Sequence, residues 1–180
     1  MKLNARELRE VDETEVQKRL KTLKRRQIHF ILENVYDTYN IGGLFRLADA
    51  LAIEKLYLCG ECEVPPNHKI KKASIGTYKV VPWEYCKSAP DAIADLKSKI
   101  KNQKAKIIAV EQDIKAVEYT KADYSLPLAL IFGNETYGVL PETLKLADQI
   151  VEIPMWGINK SLNVIVSAAI VSYFAVSKTT

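Results

Sequence analysis

Glycine and polar residues in this 180-residue chain gather in three clusters, and each stands where an apolar run stops. The first, Asn40-Ile41-Gly42-Gly43-Leu44-Phe45-Arg46, is reached through the polar loop NVYDTYN at the end of the apolar run 28–35. The second, Gly133-Asn134-Glu135-Thr136-Tyr137-Gly138, directly follows the run LALIF. The third follows Ile153-Pro154-Met155 and carries Gly157, Ser161, Leu162 and Asn163 into a long apolar stretch. Polar groups at strand ends are what an α/β domain uses to bind a ligand, so the clusters read as strand, loop and helix parts of one site. Several familiar chemistries do not fit. The turn after the first strand is NVYDTYNIGG rather than GxGxxG, which disfavours ordinary dinucleotide binding. HExxH, GxSxG and P-loop motifs are absent, and neither His29 nor His68 has an evident triad partner.

The elements that must hold these clusters follow from apolar periodicity. Strands are expected over 28–35, 55–59, 106–110, 128–132 and 150–153, and helices over 5–26, from Asn40 onward, and over 89–100, 141–147 and 162–177. Strands alternating with helices predict an α/β domain built on a mainly parallel sheet flanked by helices. Asn40 is expected to cap its helix, leaving Arg46 near the helix start. A long loop is expected over 60–72, then a short helix over 73–76, an extended segment over 78–83, and a polar connection over 111–126. The last helix has no polar face, and a helix apolar all round is buried all round. The economical cover for its second side is another copy of the chain. It is slightly short for a membrane span and carries Asn163, Ser167, Ser172 and Ser177, so no membrane role is expected.

Lys+Arg 26 against Asp+Glu 22 gives a net charge of only +4, so distribution says more than the sum. Lys18, Arg19, Lys21, Lys24, Arg25 and Arg26 form one basic cluster, and Lys69, Lys71 and Lys72 a second in the expected loop. Each reads either as a solvated face or as a phosphate-contacting patch. Cys59 and Cys62 make a CxxC, but no second CxxC completes a zinc set, which favours structural thiols and no metal. Three cysteines without framework spacing and a charged N-terminal sequence fit a reducing cytoplasm.

The three clusters resemble, in order and spacing, the motifs of the SpoU/TrmH branch of the SPOUT RNA methyltransferases, over about residues 28–177. The matching stretches are Asn40 to Ala48, Ile131 to Val139 and Ile153 to Val164. The resemblance implies a sheet whose C-terminal part forms a trefoil knot, S-adenosylmethionine held in the knot, and a homodimer joined through the C-terminal helix. It divides the chain into a short basic N-terminal helix, 1–27, and a SpoU-type methyltransferase domain, 28–180. Gly133, Asn134, Glu135, Gly138, Ile153, Met155, Gly157, Ser161 and Leu162 would bind the cofactor. The implied reaction transfers a methyl group to a ribose 2′-hydroxyl of RNA. Arg46 would take the central catalytic role, with Asn40, Glu135, Ser161 and Asn163 as the other catalytic positions. Tyr36, Tyr39, Trp83, Tyr137 and Trp156 are candidate base-stacking platforms. The short extension outside the motifs points either to a compact substrate such as a tRNA stem-loop or to recognition shared between two subunits, with tRNA preferred to rRNA. The competing reading is a non-catalytic RNA-binding or ribosome-assembly factor on the same fold; base methylation would need an acid or base that the motifs do not offer.

Overall fold

A computed structural model describes residues 3–100 and 104–179. Seven strands form one sheet: β1 (Arg26–Glu33), β2 (Ile53–Cys59), β3 (Trp83–Cys86), β4 (Lys106–Val110), β5 (Val117–Glu118), β6 (Leu128–Phe132) and β7 (Gln149–Glu152). All pairings are parallel, in the order β3-β2-β1-β6-β4-β7-β5. The expected polar connection therefore contributes an edge strand, β5. The helices are α1 (Ala5–Glu10), α2 (Glu13–Thr22), α3 (Thr38–Ala50), α4 (His68–Ser74), α5 (Ala89–Lys99), α6 (Pro141–Leu144) and α7 (Val164–Lys178).

Period-two alternation divides the core between the two faces of the sheet. Ile28, Phe30 and Leu32 of β1 join Leu128, Leu130 and Phe132 of β6 in the core under α3 and α7. Ile31, Ile107, Ala129 and Ile131 face the other way, toward α5. On that second face Ala89 and Ala92 let α5 settle close to the strands.

Several expectations change. The single N-terminal helix is two, because Asp12 accepts the Glu15 N–H at 3.0 Å and starts a new helix. Asn40 does not cap α3. Asp37 does, accepting the Tyr39 N–H at 2.7 Å, so Asn40 lies inside the first turn and Arg46 sits well along the helix, exposed. The expected loop holds α4, capped by Asn67, so the Lys69, Lys71 and Lys72 cluster is helical. The segment expected to be extended opens with a 3-10 turn, Thr77–Lys79. Of the first basic cluster, Arg25 is structural: its guanidinium donates to the carbonyls of Ile53 at 2.9 Å and Val80 at 2.5 Å. Lys18, Lys21 and Lys24 are exposed, and the Arg19 side chain lies outside the described residues.

Among the described residues, no helix is long and apolar enough to cross a membrane. Helix α7 buries Val164, Ala168, Val171 and Ala175 but leaves Val166 and Tyr173 45% and 55% exposed, an apolar stripe open in the single chain.

Candidate active site

The C-terminal ends of β1, β6, β4 and β7 lie along one edge of the sheet, and the three motifs meet there. Asn40 is 6% exposed, and its amide spans the other two clusters. Its Nδ2 donates to Glu135 Oε1 at 2.8 Å, and its Oδ1 accepts from Asn163 Nδ2 at 3.0 Å. Asn163 is also the N-cap of α7, accepting the Ile165 N–H at 2.8 Å. One hydrogen-bond chain therefore runs through α3, the loop after β6 and the start of α7.

Beside this chain opens a cavity of about 380 Å³. Gly133, Asn134, Glu135, Gly138, Ile153, Met155, Ser161 and Leu162 all line it. Gly157 does not; a Cβ there would have no atom within 4 Å. Asn134 contributes as a scaffold rather than a free amide. Its Nδ2 donates to Asn34 O at 2.7 Å, and its Oδ1 accepts the Thr136 and Tyr137 N–H groups at 2.7 and 2.9 Å. Its backbone exchanges two hydrogen bonds with Gly138, at 3.1 and 2.9 Å, closing the 134–138 turn. Gly133 must be glycine for this turn, because a Cβ would run into the Gly138 carbonyl and the Val139 nitrogen.

Two carboxylates that sequence reasoning passed over hold the turn in place. Glu111, at the end of β4, lines the cavity and accepts Val139 N–H at 2.8 Å and Gln112 N–H at 2.8 Å. Glu33, at the end of β1, is 2% exposed and accepts Leu140 N–H at 2.8 Å and the Thr143 hydroxyl at 2.6 Å. Burial pushes its pKa up against those two bonds. Both residues end apolar strands, so the strand-end rule that picked out Glu135 would have found them. Gln112 donates to the Lys160 carbonyl and so ties the third cluster to the end of β4.

The model of the SpoU rRNA Methylase family matches residues 27–173. This chain belongs to that family. A family relative, the tRNA (guanosine(18)-2'-O)-methyltransferase of Thermus thermophilus, is 32% identical over 155 residues, covering 85% of this chain and 77% of that enzyme. The Aquifex aeolicus TrmH/SpoU tRNA modifying enzyme matches with a TM-score of 0.75 at 30% identity, over 89% of this chain and 82% of that one. An AdoMet-bound rRNA methyltransferase from Sinorhizobium meliloti shares the fold, with a TM-score of 0.77 at 23% identity, over 96% of this chain and 60% of its own.

For the SpoU-family motifs the geometry sorts the remaining candidates. Ser161 is exposed at the cavity, its N–H donating to Asn159 Oδ1 at 3.3 Å. Arg46 is not part of the lining, and its side chain has no hydrogen bond or ion pair among the described residues. Tyr36, Tyr39, Tyr137 and Trp156 are exposed, whereas Trp83 packs edge-on against Phe45 with ring centroids 6.5 Å apart. The CxxC is absorbed by packing: Cys62 Sγ accepts Val35 N–H at 3.2 Å and donates to Leu32 O at 3.4 Å, and burial pushes its pKa up to about 11.

Proposed function

We propose that this SpoU-family chain is an S-adenosylmethionine-dependent methyltransferase acting on a ribose 2′-hydroxyl of RNA, on tRNA in preference to rRNA, in the cytoplasm. The observation that carries this reading is the Asn163–Asn40–Glu135 chain, which joins all three motifs beside one cavity. The methyltransferase domain begins with β1 at Arg26, two residues before the expected boundary at 28, and the basic residues ahead of it form an N-terminal arm. The segment from β6 to α7 is threaded as a trefoil knot, a reading supported by a sheet order in which β6 sits between β1 and β4 while β7 lies beyond β4.

The cavity suits the cofactor by its own chemistry. Val110, Phe132, Val151 and Ile153 offer apolar walls for an adenine ring, and the backbone at Gly133, Ile153 and Met155 after the strands and at Leu162 ahead of α7 offers donors and acceptors. Glu111, Glu135 and Glu152 outnumber Lys160 in the lining, which favours a sulfonium cation. S-Adenosylmethionine supplies an electrophilic methyl group when bound. The chain's own task is to align the ribose hydroxyl and to stabilise the charge that grows on its oxygen.

Arg46 suits the second task, but within one chain it lies outside the cavity. It stands three residues after Gly43, the position where a Cβ would meet Ile165 of α7. Residues so spaced share a helix flank, so Arg46 leaves α3 beside the open apolar stripe of α7. A second copy covering that stripe forms a homodimer and brings each Arg46 toward the other protomer's Glu135. A guanidinium stays protonated near neutral pH and is not the base. It binds the phosphate next to the target ribose and stabilises the developing alkoxide, while that phosphate or a water takes the proton.

The test is Arg46→Ala assayed with labelled S-adenosylmethionine and unmodified tRNA. Turnover should fall about 10²–10³-fold with cofactor affinity, read by calorimetry, unchanged. Equal loss of both would contradict the role of Arg46. A wild-type chain that binds RNA but neither binds nor consumes S-adenosylmethionine would favour the non-catalytic RNA-binding factor.

A further inference from the structure

Helix α4 sorts its residues sharply. Ile70 and Ser74 are buried and Ala73 packs against α3, while His68, Lys69, Lys71 and Lys72 are exposed on the opposite side. Among the described residues, none of these three lysines has a hydrogen-bonded or ion-paired side-chain partner. Lys87, Lys97 and Lys145 are likewise exposed and unpaired, whereas Lys55 and Lys99 share Glu84 at 2.9 and 3.2 Å and Lys106 meets Asp123 at 3.3 Å; α4 differs in carrying three such lysines within four residues.

Helix-dipole compensation explains only part of this face. Lys71 and Lys72 stand in the last turn, where cations are favoured, but Lys69 stands in the first, where they are not. A ligand carrying several negative charges accounts for all three. We propose that the outer face of α4 is a phosphate rail, on which Lys69, Lys71 and Lys72 contact successive backbone phosphates of the RNA. The proposal rests on the RNA substrate argued above and extends it to a surface outside the cavity.

Reach and rigidity support the assignment. From Lys69 to Lys72 the helix rises about 4.5 Å, short of the roughly 6.8 Å spanned by three successive charges of one strand, and the flexible four-carbon lysine stems make up the difference. The rail is also held rigidly against the helix that carries Arg46. A Cβ on Gly42 of α3 would lie 2.5 Å from Ala73 Cβ and 2.9 Å from Ser74 N, so the backbones of α3 and α4 touch at that glycine. Phosphates bound on α4 would thereby be registered relative to Arg46, making the lysines positioning residues rather than catalytic ones.

The test compares wild type with K69A/K71A/K72A for binding of unmodified tRNA transcript across a salt series. Each phosphate contact contributes a slope of about −0.7 to −0.9 in log affinity against log salt. Between about 50 and 200 mM salt, three contacts make the wild type lose about 20–40-fold more affinity than the variant. S-Adenosylmethionine affinity and the thermal midpoint should not change, and KM for tRNA should rise. An unchanged slope in a variant whose parent binds and methylates tRNA would overturn the rail alone, and would be the result if the face served an acidic protein instead. A lowered midpoint with an unchanged slope would assign the lysines to helix stability. A wild type without affinity for RNA would overturn both the rail and the proposed substrate.

Discussion

Gly133 and Gly157 belong to the same set of motif glycines, yet the structure gives them opposite sensitivities. An added methyl at Gly133 collides with the Gly138 carbonyl and the Val139 nitrogen. Neither can move freely. Gly138 exchanges backbone hydrogen bonds with Asn134 at 2.9 and 3.1 Å, and Val139 N–H is held by the Glu111 carboxylate at 2.8 Å. Making room means stretching one or more of these bonds, worth about 1 kcal/mol each when neutral and about 2 when one partner is charged. Gly133→Ala should therefore cost about 3 kcal/mol, within reach of what overpacking a tight site costs. If that strain is relieved by opening the turn, S-adenosylmethionine affinity falls by about 100-fold. Gly157→Ala meets nothing within 4 Å and should stay within about 0.5 kcal/mol of wild type. Urea unfolding and calorimetric titration on both variants give the answer. Wild-type stability and affinity in Gly133→Ala, or equal losses in the two variants, would refute the reasoning.

Three further outcomes follow from other contacts. Asn40→Ala removes the amide between Glu135 and Asn163 and should destabilise by about 2 kcal/mol; combined with Glu135→Ala, the losses should be clearly non-additive in a double-mutant cycle. Glu111→Gln replaces one of two backbone-binding oxygens with a donor and should cost about 2 kcal/mol in urea unfolding while weakening cofactor binding. His29 is 8% exposed with Nδ1 unpartnered, and burial, then the charge of Lys55, pulls its pKa down to about 4. Its neutral form belongs to the fold, so its penalty is absent above pH ~6.5, grows as the unfolded chain takes up a proton below that, and is complete below pH ~4, at about 3 kcal/mol. His29→Leu should flatten the loss of stability between pH ~6.5 and ~4, measured by urea unfolding at each pH; an unchanged profile would place the acid sensitivity elsewhere.

Strands buried on both faces were the most legible part of the chain. Lys106–Val110 and Leu128–Phe132 match their expected bounds because central parallel strands are continuous apolar runs. Helix starts were less so. Asp37 and Asn40 are both good capping types three residues apart, and only the tertiary demand for the Asn40 amide at Glu135 and Asn163 separates them. Helix α4 was hidden because Ile70 is its one strongly apolar residue, too little to show a period. The motif residues were legible as strand ends, but the work of Glu33 and Glu111 was not, since their partners lie 107 and 28 residues away. For the same reason, local pattern did not distinguish Arg25, which binds carbonyls 28 and 55 residues on, from its solvated neighbours.

The central claim is that the joined motifs present an S-adenosylmethionine methyl group to a ribose hydroxyl of RNA. It is tested most directly by incubating the protein with methyl-labelled S-adenosylmethionine and unmodified tRNA and rRNA, then digesting the RNA to nucleosides. The account predicts label in a 2′-O-methylated nucleoside from tRNA. Label on a base, or none in any nucleoside although the cofactor binds and both RNAs are intact, would contradict it.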